Sequence, residues 1–188
     1  HKAQVVLFSK FVFMTKRIVI SGAPGTGKTS IIKELSNRGY KCHSEISREI
    51  IENQLETGGT ITPWQDLDKF SELVIDKRLL QFESAVDDVE FYDRGIIDSL
   101  AYLIKDKIPI TNKWKNIANN NKYFNKVFIT PPWEDIYIKD EERKEDFETA
   151  TEIHKYMIEA YKLYSYKVCI IPKMSIDERI DFIINQIE

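Results

Sequence analysis

A glycine-rich segment near the start of the chain carries the clearest chemical pattern in the sequence. Residues 22–29 read GAPGTGKT and match the spacing G-x-x-x-x-G-K-[ST]. The glycines allow consecutive backbone N–H groups to point toward phosphate oxygens, and the helix that follows adds positive potential. We therefore expect a phosphate-binding loop, called the phosphate loop below, of nine residues: Gly22, Ala23, Pro24, Gly25, Thr26, Gly27, Lys28, Thr29 and Ser30.

Lys28 and Thr29 are the residues of this loop whose side chains suit a nucleotide. The Lys28 ammonium is expected to reach the β- and γ-phosphates, and the Thr29 hydroxyl to bind Mg²⁺. The alternative is a glycine turn that only connects a strand to a helix, and such a turn needs neither side chain. ATP and Mg²⁺ are therefore the predicted cofactors. The guanine-reading motif NKxD is incomplete, because the sequence NKVF at 125–128 lacks the aspartate.

The pair Asp93-Arg94 follows the predicted strand Val89–Tyr92. A carboxylate at the end of a strand beside the phosphate loop can hold the metal or take a proton from an acceptor. ATPases that hydrolyse ATP commonly place a glutamate after the metal aspartate, whereas here an arginine follows. This favours transfer to a bound hydroxyl over hydrolysis, with Asp93 a candidate metal ligand. The structural alternative is a local ion pair that finishes the strand.

A second carboxylate, Glu45, lies between a predicted strand and a predicted helix. In an open α/β sheet, ligands bind beyond the carboxyl ends of the strands, so Glu45, Asp93 and the phosphate loop are expected to converge. Glu45 can act there as general base for an acceptor hydroxyl. It can equally be a helix-start residue that interacts with the helix dipole and has no further role. Arg48 is expected to contact a phosphate or the acceptor.

A charged segment, KDEERK at 139–144, precedes the long predicted helix. A cationic segment can close over phosphates and exclude water, and Arg143 is the candidate for this role. The alternative is a solvated helix entrance. Several further side chains are candidates for the acceptor pocket: Gln54, Trp64, Gln65 and Asp98. His154, on an apolar-leaning helical face, is interpreted as a packed helix residue.

These groups must be positioned by strands that alternate with helices. Short β-rich runs predict five strands: Arg17–Ser21, Tyr40–Ser44, Val89–Tyr92, Lys126–Thr130 and Lys167–Ile171. Helices are predicted between them, at Thr29–Asn37, at Ile46–Leu55 and over about 146–164. Another is expected to be capped by Thr62, with an apolar stripe of Phe70, Leu73, Val74 and Leu80. The last is expected to start at Ser175 and to bury Ile176, Ile180, Ile183 and Ile187. Because helices separate the strands, parallel pairing in an α/β layered sheet is expected. The Asn-rich segment Asn112–Asn125 is expected to be a polar loop or helix end.

Composition limits the remaining classes. The 188 residues suit one domain, and 43% hydrophobic residues exclude wholesale disorder. With 27 Lys and Arg against 30 Asp and Glu, the charge argues against a nucleic-acid partner and leaves a protein partner open. No apolar run reaches the ~18–20 residues of a membrane span. Cys42 and Cys169 have no metal-binding spacing, so a cytoplasmic protein is expected.

The predicted domain covers residues 14–188, with a lid near 134–150. Residues 1–13 precede it and are expected to carry no chemistry, as either an upstream extension or a cloning remnant. Their apolar stretch lacks the cleavage site of a signal peptide.

Four segments together resemble a small family of P-loop ATPases: GAPGTGKT, SEISREII at 44–51, FYDRGIIDSLAYL at 91–103 and PPWEDIYIKDEERKEDFE at 131–148. These are single-domain proteins classified near the AAA ATPases and similar in layout to deoxynucleoside and ribosylnicotinamide kinases. The resemblance covers nearly the whole chain from Met14. It implies a three-layer P-loop fold, a five-stranded parallel sheet with helices on both faces, and ATP with Mg²⁺ at the loop.

Similarity to those kinases implies further roles. A carboxylate that ends their second strand acts as base and corresponds to Glu45. Asp93 and Arg94 match the first two positions of an acidic-Arg-Ser motif, and Arg143 corresponds to a lid arginine. Gly95 departs from the usual serine, which puts acceptor positioning in doubt.

The sequence thus predicts an ATP-binding, Mg²⁺-dependent phosphotransferase acting on a small nucleoside- or nucleotide-like acceptor. Its predicted catalytic residues are Lys28, Glu45, Asp93, Arg94 and Arg143. Two alternatives stay open: an ATPase whose hydrolysis switches a partner, and a nucleotide-dependent binding module. At 188 residues there is little room for the extra helical domain of ring-forming AAA motors.

Overall fold

The structure, a computed structural model, describes residues 15–136 and 146–188. Its strands are β1 (Lys16–Gly22), β2 (Lys41–His43), β3 (Val89–Asp93), β4 (Lys126–Thr130) and β5 (Lys167–Ile170). Its α-helices are α1 (Lys28–Asn37), α2 (Ile46–Thr57), α3 (Leu67–Glu83), α4 (Ile96–Lys105), α5 (Asn112–Asn120), α6 (Phe147–Leu163) and α7 (Ile176–Ile187), and a short 3₁₀ helix spans Glu134–Ile136.

The five strands form one parallel sheet in the order β2-β3-β1-β4-β5. This confirms the predicted α/β fold. Ile20 of β1 is in register with Asp93 of β3, and Gly22 is in register with Thr130 of β4. The carboxyl ends of the three central strands therefore meet at the start of the phosphate loop.

Helices cover both faces of the sheet, because successive residues of a strand point to opposite sides. Val19 packs into a cluster with apolar residues of α3, α4, α5 and α6. Ile18 and Ile20 point the other way and pack against α1 and α7. A third cluster joins α2 to α3. The predicted three-layer arrangement is therefore confirmed.

The start of α3 and its buried face differ from the prediction. Thr62 and Gln65 hydrogen-bond to each other, but within a turn that precedes the helix. The cap is Asp66, whose side chain accepts from the backbone N–H of Lys69 at 3.1 Å. The predicted stripe is wrong at Leu73 and Leu80, which are exposed, because the helix turns Phe70, Ser71, Val74, Ile75 and Arg78 inward.

The Asn-rich segment also differs from the prediction. Residues 112–120 form α5, whose cap is Thr111, because the Thr111 hydroxyl accepts from the N–H of Trp114 at 3.3 Å. Trp114 and Ala118 lie one turn apart and are buried in the core. Two apolar anchors on one face thus outweigh the asparagine-rich composition.

The capping box predicted at Ser175 and Glu178 is confirmed at the start of α7. Ile180, Ile183 and Ile187 are buried as expected, whereas Ile176 is largely exposed because it lies in the first turn, away from the sheet. Among the described helices, none combines the length and apolar composition needed to cross a bilayer.

Some predictions lie outside the described residues. These are the extension at 1–13, Arg143, and most of the predicted lid. Of that lid, the structure describes the 3₁₀ helix and the segment that enters α6.

Candidate functional site

The backbone of the phosphate loop requires glycine at its first position. Gly22 has φ of +135°, and a Cβ there would lie 2.3 Å from Thr130 Oγ1 and 2.6 Å from the Thr130 carbonyl oxygen. Gly27 is the N-cap of α1, with φ of +85° and no side-chain cap. The first N–H groups of α1 therefore have no capping side chain, which is what an anion at a helix start requires.

Two threonines hold the shape of the loop. Thr26 Oγ1 donates to the Ala23 carbonyl at 2.8 Å and lies 2.6 Å from Thr130 Oγ1. Thr130 Oγ1 in turn lies 3.1 Å from the carbonyl oxygen of Ser21. Sequence reasoning missed Thr130, whose only signal was its position at the end of the strand that pairs with Gly22.

Lys28 is buried within the loop, and its Nζ donates to the Ala23 carbonyl at 2.7 Å. Burial is the main cause that lowers the pKa of Lys28 to about 8, with Arg94 next, while Asp93 and Glu45 oppose the shift. The side chains of Thr29 and Ser30, in the first turn of α1, are exposed. The loop thus combines a buried cation with accessible hydroxyls.

Asp93 ends β3 and is almost completely buried. Its Oδ1 has no hydrogen-bond partner among the described residues. Burial, followed by the neighbouring Glu45 carboxylate, raises the pKa of Asp93 to about 6. A buried carboxylate oxygen of this kind suits a metal, a water or a proton as partner.

Glu45 and Arg94 form an ion pair between the start of α2 and the end of β3, in which Arg94 Nε donates to Glu45 Oε1. Glu45 is the N-cap residue of α2, but its side chain makes no capping hydrogen bond. Burial by itself would raise the pKa of Glu45, but Arg94 and then Lys28 hold it below its usual range. Glu45 is therefore a carboxylate at neutral pH.

Arg94 adopts the left-handed backbone conformation, with φ of +74°. Its N–H donates to the Ile20 carbonyl at 3.0 Å, which ties the turn after β3 to β1. A non-glycine residue in this region costs about 1–2 kcal/mol, so surrounding contacts must compensate. The contacts of its guanidinium with Glu45 and Asp98 supply that compensation.

Asp98 lies behind Arg94 and outside the cavity lining described below. It accepts from Ser21 Oγ at 2.6 Å, from the Gly95 N–H at 2.8 Å and from the hydroxyl of Tyr161. Arg94 Nη1 is 3.3 Å from its Oδ1. Asp98 therefore positions Arg94 and the start of α4. It does not line this cavity, although the sequence made it a candidate for an acceptor pocket.

A cavity of about 100 Å³ borders the phosphate loop and lies between α2, α3 and α4. Its apolar wall includes Ile51, Phe70 and Val74, and Tyr102 lies on the lining as well. Its charged lining residues are Lys28, Glu45, Arg48, Arg78 and Arg94. The fold thus brings six of the sequence candidates to one cavity: Pro24, Lys28, Thr29, Glu45, Arg48 and Arg94.

The remaining candidates lie elsewhere. Gln54 Oε1 accepts from the Ile61 N–H at 3.0 Å, and Gln65 bonds to Thr62, so both amides stabilise the turn before α3. Trp64 is 40% exposed and is not part of the cavity lining. His154 is half-buried on α6, where burial lowers its pKa.

Arg179 of α7 is a buried cation beside the phosphate loop that sequence reasoning missed. Its Nη1 lies 3.0 Å from the position that a Cβ on Gly27 would occupy. Its guanidinium lies over the ring of Trp133, 5.3 Å from the centroid, and burial lowers its pKa. Its Nε has no partner among the described residues. No local pattern distinguishes such an arginine from a solvated one on the same helix.

The residues present fit a bound nucleotide and metal. Gly22 and Gly27 leave little room for a side chain, and Thr29 is exposed. Asp93 has an oxygen with no hydrogen-bond partner in the described part of the chain. Within residues 15–136 and 146–188, no group of three or more His, Cys, Asp or Glu is placed to hold a metal by itself. Mg²⁺ does not need one, since it binds through one or two carboxylates together with substrate phosphates and water.

Solved structures with the same fold include two kinases and the NadR protein. Deoxyadenosine kinase from M. mycoides with bound dATP has a TM-score of 0.67 and 19% identity, with 92% of this chain and 98% of that chain covered. The NadR protein in complex with NR has a TM-score of 0.66 and 16% identity, with 92% of this chain but 50% of that chain covered. Thymidylate kinase from Ehrlichia chaffeensis has a TM-score of 0.61 and 15% identity, with 93% and 99% covered.

At these identities the likeness shows the fold, which is the P-loop fold of nucleoside and nucleotide kinases. Among curated proteins, none matches the sequence significantly. The AAA domain family matches residues 17–179, which is most of the chain and includes the phosphate loop, Glu45 and the Asp93-Arg94 pair. The chain therefore belongs to this AAA domain family.

Proposed function

We propose that this chain is an Mg²⁺-dependent phosphotransferase that moves the γ-phosphoryl group of ATP to a hydroxyl of a small nucleoside- or nucleotide-like acceptor. The observation that carries this proposal is the shared position of Lys28, Glu45 and Arg94 on one cavity beside the phosphate loop. That cavity has an apolar wall, which suits an organic acceptor better than a lone attacking water.

In the proposed reaction, the acceptor oxygen bonds to the γ-phosphorus while the bond from that phosphorus to the leaving oxygen of ADP breaks. The acceptor proton passes to Glu45, which Arg94 keeps as a carboxylate. Lys28 and Arg94 stabilise the charge that develops on the transferred group. Arg143, which lies outside the described residues, is expected to add a cation from the lid.

Thr29 and Asp93 are the residues that would hold Mg²⁺. The ion, when bound, neutralises phosphate charge. The M. mycoides deoxyadenosine kinase of the same fold is solved with bound dATP, and the NadR protein with NR. This supports a nucleoside-like acceptor.

The test is ADP release from Mg·ATP, alone and with a panel of nucleosides, nucleotides and ribosylnicotinamide. One acceptor is expected to stimulate release. Glu45→Gln should lower the stimulated rate by about 10²–10⁴-fold without weakening nucleotide binding. Glu49→Gln, which removes an exposed carboxylate from the same helix, is the matched control. Lys28→Ala should abolish turnover.

Two outcomes would contradict the proposal. ADP release that no small molecule stimulates, but that a protein partner does, would make the chain a switch ATPase. Tight nucleotide binding with no release under either condition would make it a binding module.

A further inference from the structure

Arg78 is a buried cation on the inner face of α3, only 2% exposed. Its Nη1 donates to the Gly95 carbonyl and to Ser99 Oγ, both at 2.9 Å, and its Nη2 donates to Ser47 Oγ at 3.2 Å. All three partners are neutral. The ion pairs at this cavity in the described ranges join Glu45 to Arg94 and Arg48, and Arg94 to Asp98, and none includes Arg78.

The hydrogen-bonding capacity of Arg78 is not used up by these contacts. A guanidinium has five N–H donors, and three are matched. The Nε–H has no partner among the described residues, and one N–H of Nη2 remains. Nε and Nη2 form one edge of the guanidinium, and two parallel N–H donors bind a carboxylate or phosphate bidentately. Because the Nε atom is buried, an oxyanion reaches this edge only when the side chains around it, such as Ser47, shift.

The cavity around Arg78 is cationic as well as apolar. Among residues 15–136 and 146–188, four cations line it, Lys28, Arg48, Arg78 and Arg94, against one carboxylate, that of Glu45. Glu45 is already paired with Arg94. Arg78 interacts electrostatically with Glu45 and helps to lower its pKa, after Arg94 and Lys28, but no ion pair joins the two in the described ranges. A buried guanidinium whose direct hydrogen-bond partners are all neutral is costly, so the site suits an anion.

We infer that Arg78 binds an oxyanion of the acceptor, so that the acceptor is an anionic hydroxyl compound bearing a phosphate or a carboxylate and not a neutral nucleoside. That the ligand is an acceptor rests on the proposed phosphotransferase function. The apolar wall contacts the uncharged part of this ligand, and the Nε–Nη2 edge of Arg78 donates hydrogen bonds to its phosphate or carboxylate. Arg78 is thus a specificity-determining residue of the cavity.

The test is calorimetric binding to the full chain saturated with Mg·ADP, which occupies the phosphate loop. Three charged ligands are each compared with a neutral counterpart: AMP with adenosine, TMP with thymidine, and shikimate with its methyl ester. Sulfate serves as a bare oxyanion. At least one charged ligand should bind about tenfold or more tightly than its neutral counterpart, as charge-assisted bidentate hydrogen bonds require. The pair that shows this preference separates phosphate from carboxylate recognition.

Arg78→Gln should remove that preference, and Arg78→Lys should keep part of it, because a lysine retains the charge without the two-donor edge. Lys77→Gln is the matched control, since it removes one exposed positive charge from the neighbouring position of α3. A general loss of folding would weaken charged and neutral ligands alike, whereas the inference requires a change in their ratio.

Each outcome decides between the two proposals. Arg78-dependent binding of an anion without phosphoryl transfer supports the oxyanion site and contradicts the phosphotransferase. Phosphoryl transfer to a neutral nucleoside, at a rate that Arg78→Gln does not change, supports the phosphotransferase and contradicts the oxyanion site. The oxyanion site is wrong if no oxyanion binds, or if Arg78→Gln leaves the preference unchanged.

Discussion

Glu45 and Arg94 are 49 positions apart in sequence, and the fold joins them in a buried ion pair beside the phosphate loop. Arg94 also donates a hydrogen bond to Asp98, which in turn accepts from the hydroxyls of Ser21 and Tyr161. These contacts connect β1, β3, α4 and α6 to the N-terminal end of α2. The position of the Arg94 guanidinium therefore depends on the packing of several elements and not on its local sequence.

The Glu45–Arg94 pair should show strong energetic coupling. We expect Glu45→Gln, Arg94→Gln and the double variant to give a coupling free energy of about 1–3 kcal/mol in urea unfolding, because a buried charge that loses its partner remains desolvated. The exposed Glu49–Lys77 pair, at 2.6 Å, is the control and should couple by less than about 1 kcal/mol. Equal coupling in both pairs would show that the buried pair has no special energetic role.

Asp93→Asn should stabilise the protein at neutral pH. The pKa of Asp93 is raised to about 6 in the fold from an ordinary value near 3.8, so the folded state holds a proton that the unfolded state releases between these values. Stability therefore falls as pH rises from about 4 to 6, and the Asn variant avoids this loss. The Tm gain should be at least about 3 °C at pH 7 and vanish near pH 4.

Thermal unfolding of wild type and Asp93→Asn across pH 4–8 measures this difference. A gain that is the same at every pH would mean that the substitution acts through packing and not through the charge of the carboxylate.

Gly95→Ser should destabilise this chain. A Cβ at position 95 would lie 3.1 Å from Val19 Cγ2 and 3.2 Å from both Tyr123 Cε2 and Tyr161 Oη. Overpacking of this kind costs about 1–3 kcal/mol. The Tm should fall, and the cost should shrink in a Val19→Ala background, where the nearest contact atom is removed. An unchanged Tm for Gly95→Ser would show that the neighbouring side chains move enough to accommodate the added atoms.

Arg179→Gln should weaken nucleotide binding. The Arg179 guanidinium is buried against Gly27, where phosphate charge is expected, and it has a free Nε among the described residues. Loss of a charge-assisted hydrogen bond costs about 1.5–3 kcal/mol, or about tenfold or more in Kd. Calorimetric titration with Mg·ADP measures this effect.

The control for Arg179 is Lys33→Gln, which removes an exposed charge from α1. If both variants bind Mg·ADP like the wild type, Arg179 does not contact the nucleotide.

Local patterns in the sequence were enough to predict the phosphate loop, the strand–helix alternation and the parallel sheet. The loop is contiguous, so its spacing alone carries the chemistry, and all five predicted strands appear within about two residues of their expected ends. Composition alone did not predict a helix where only two buried side chains stabilise it. The buried side chains of Trp114 and Ala118 stabilise a helix in a segment whose asparagines predicted a polar loop or a helix end.

Tertiary packing alone decided which cations face the site. On α3, the inward face runs through Phe70, Val74 and Arg78. Leu73 and Leu80, which the sequence placed on one stripe with Phe70 and Val74, are exposed. Arg78 and Arg179 look like ordinary surface arginines in sequence, because a guanidinium is buried only when other elements close around it. The sequence therefore predicts where phosphate would bind, and the packing of α3 and α7 decides which charges surround that candidate site.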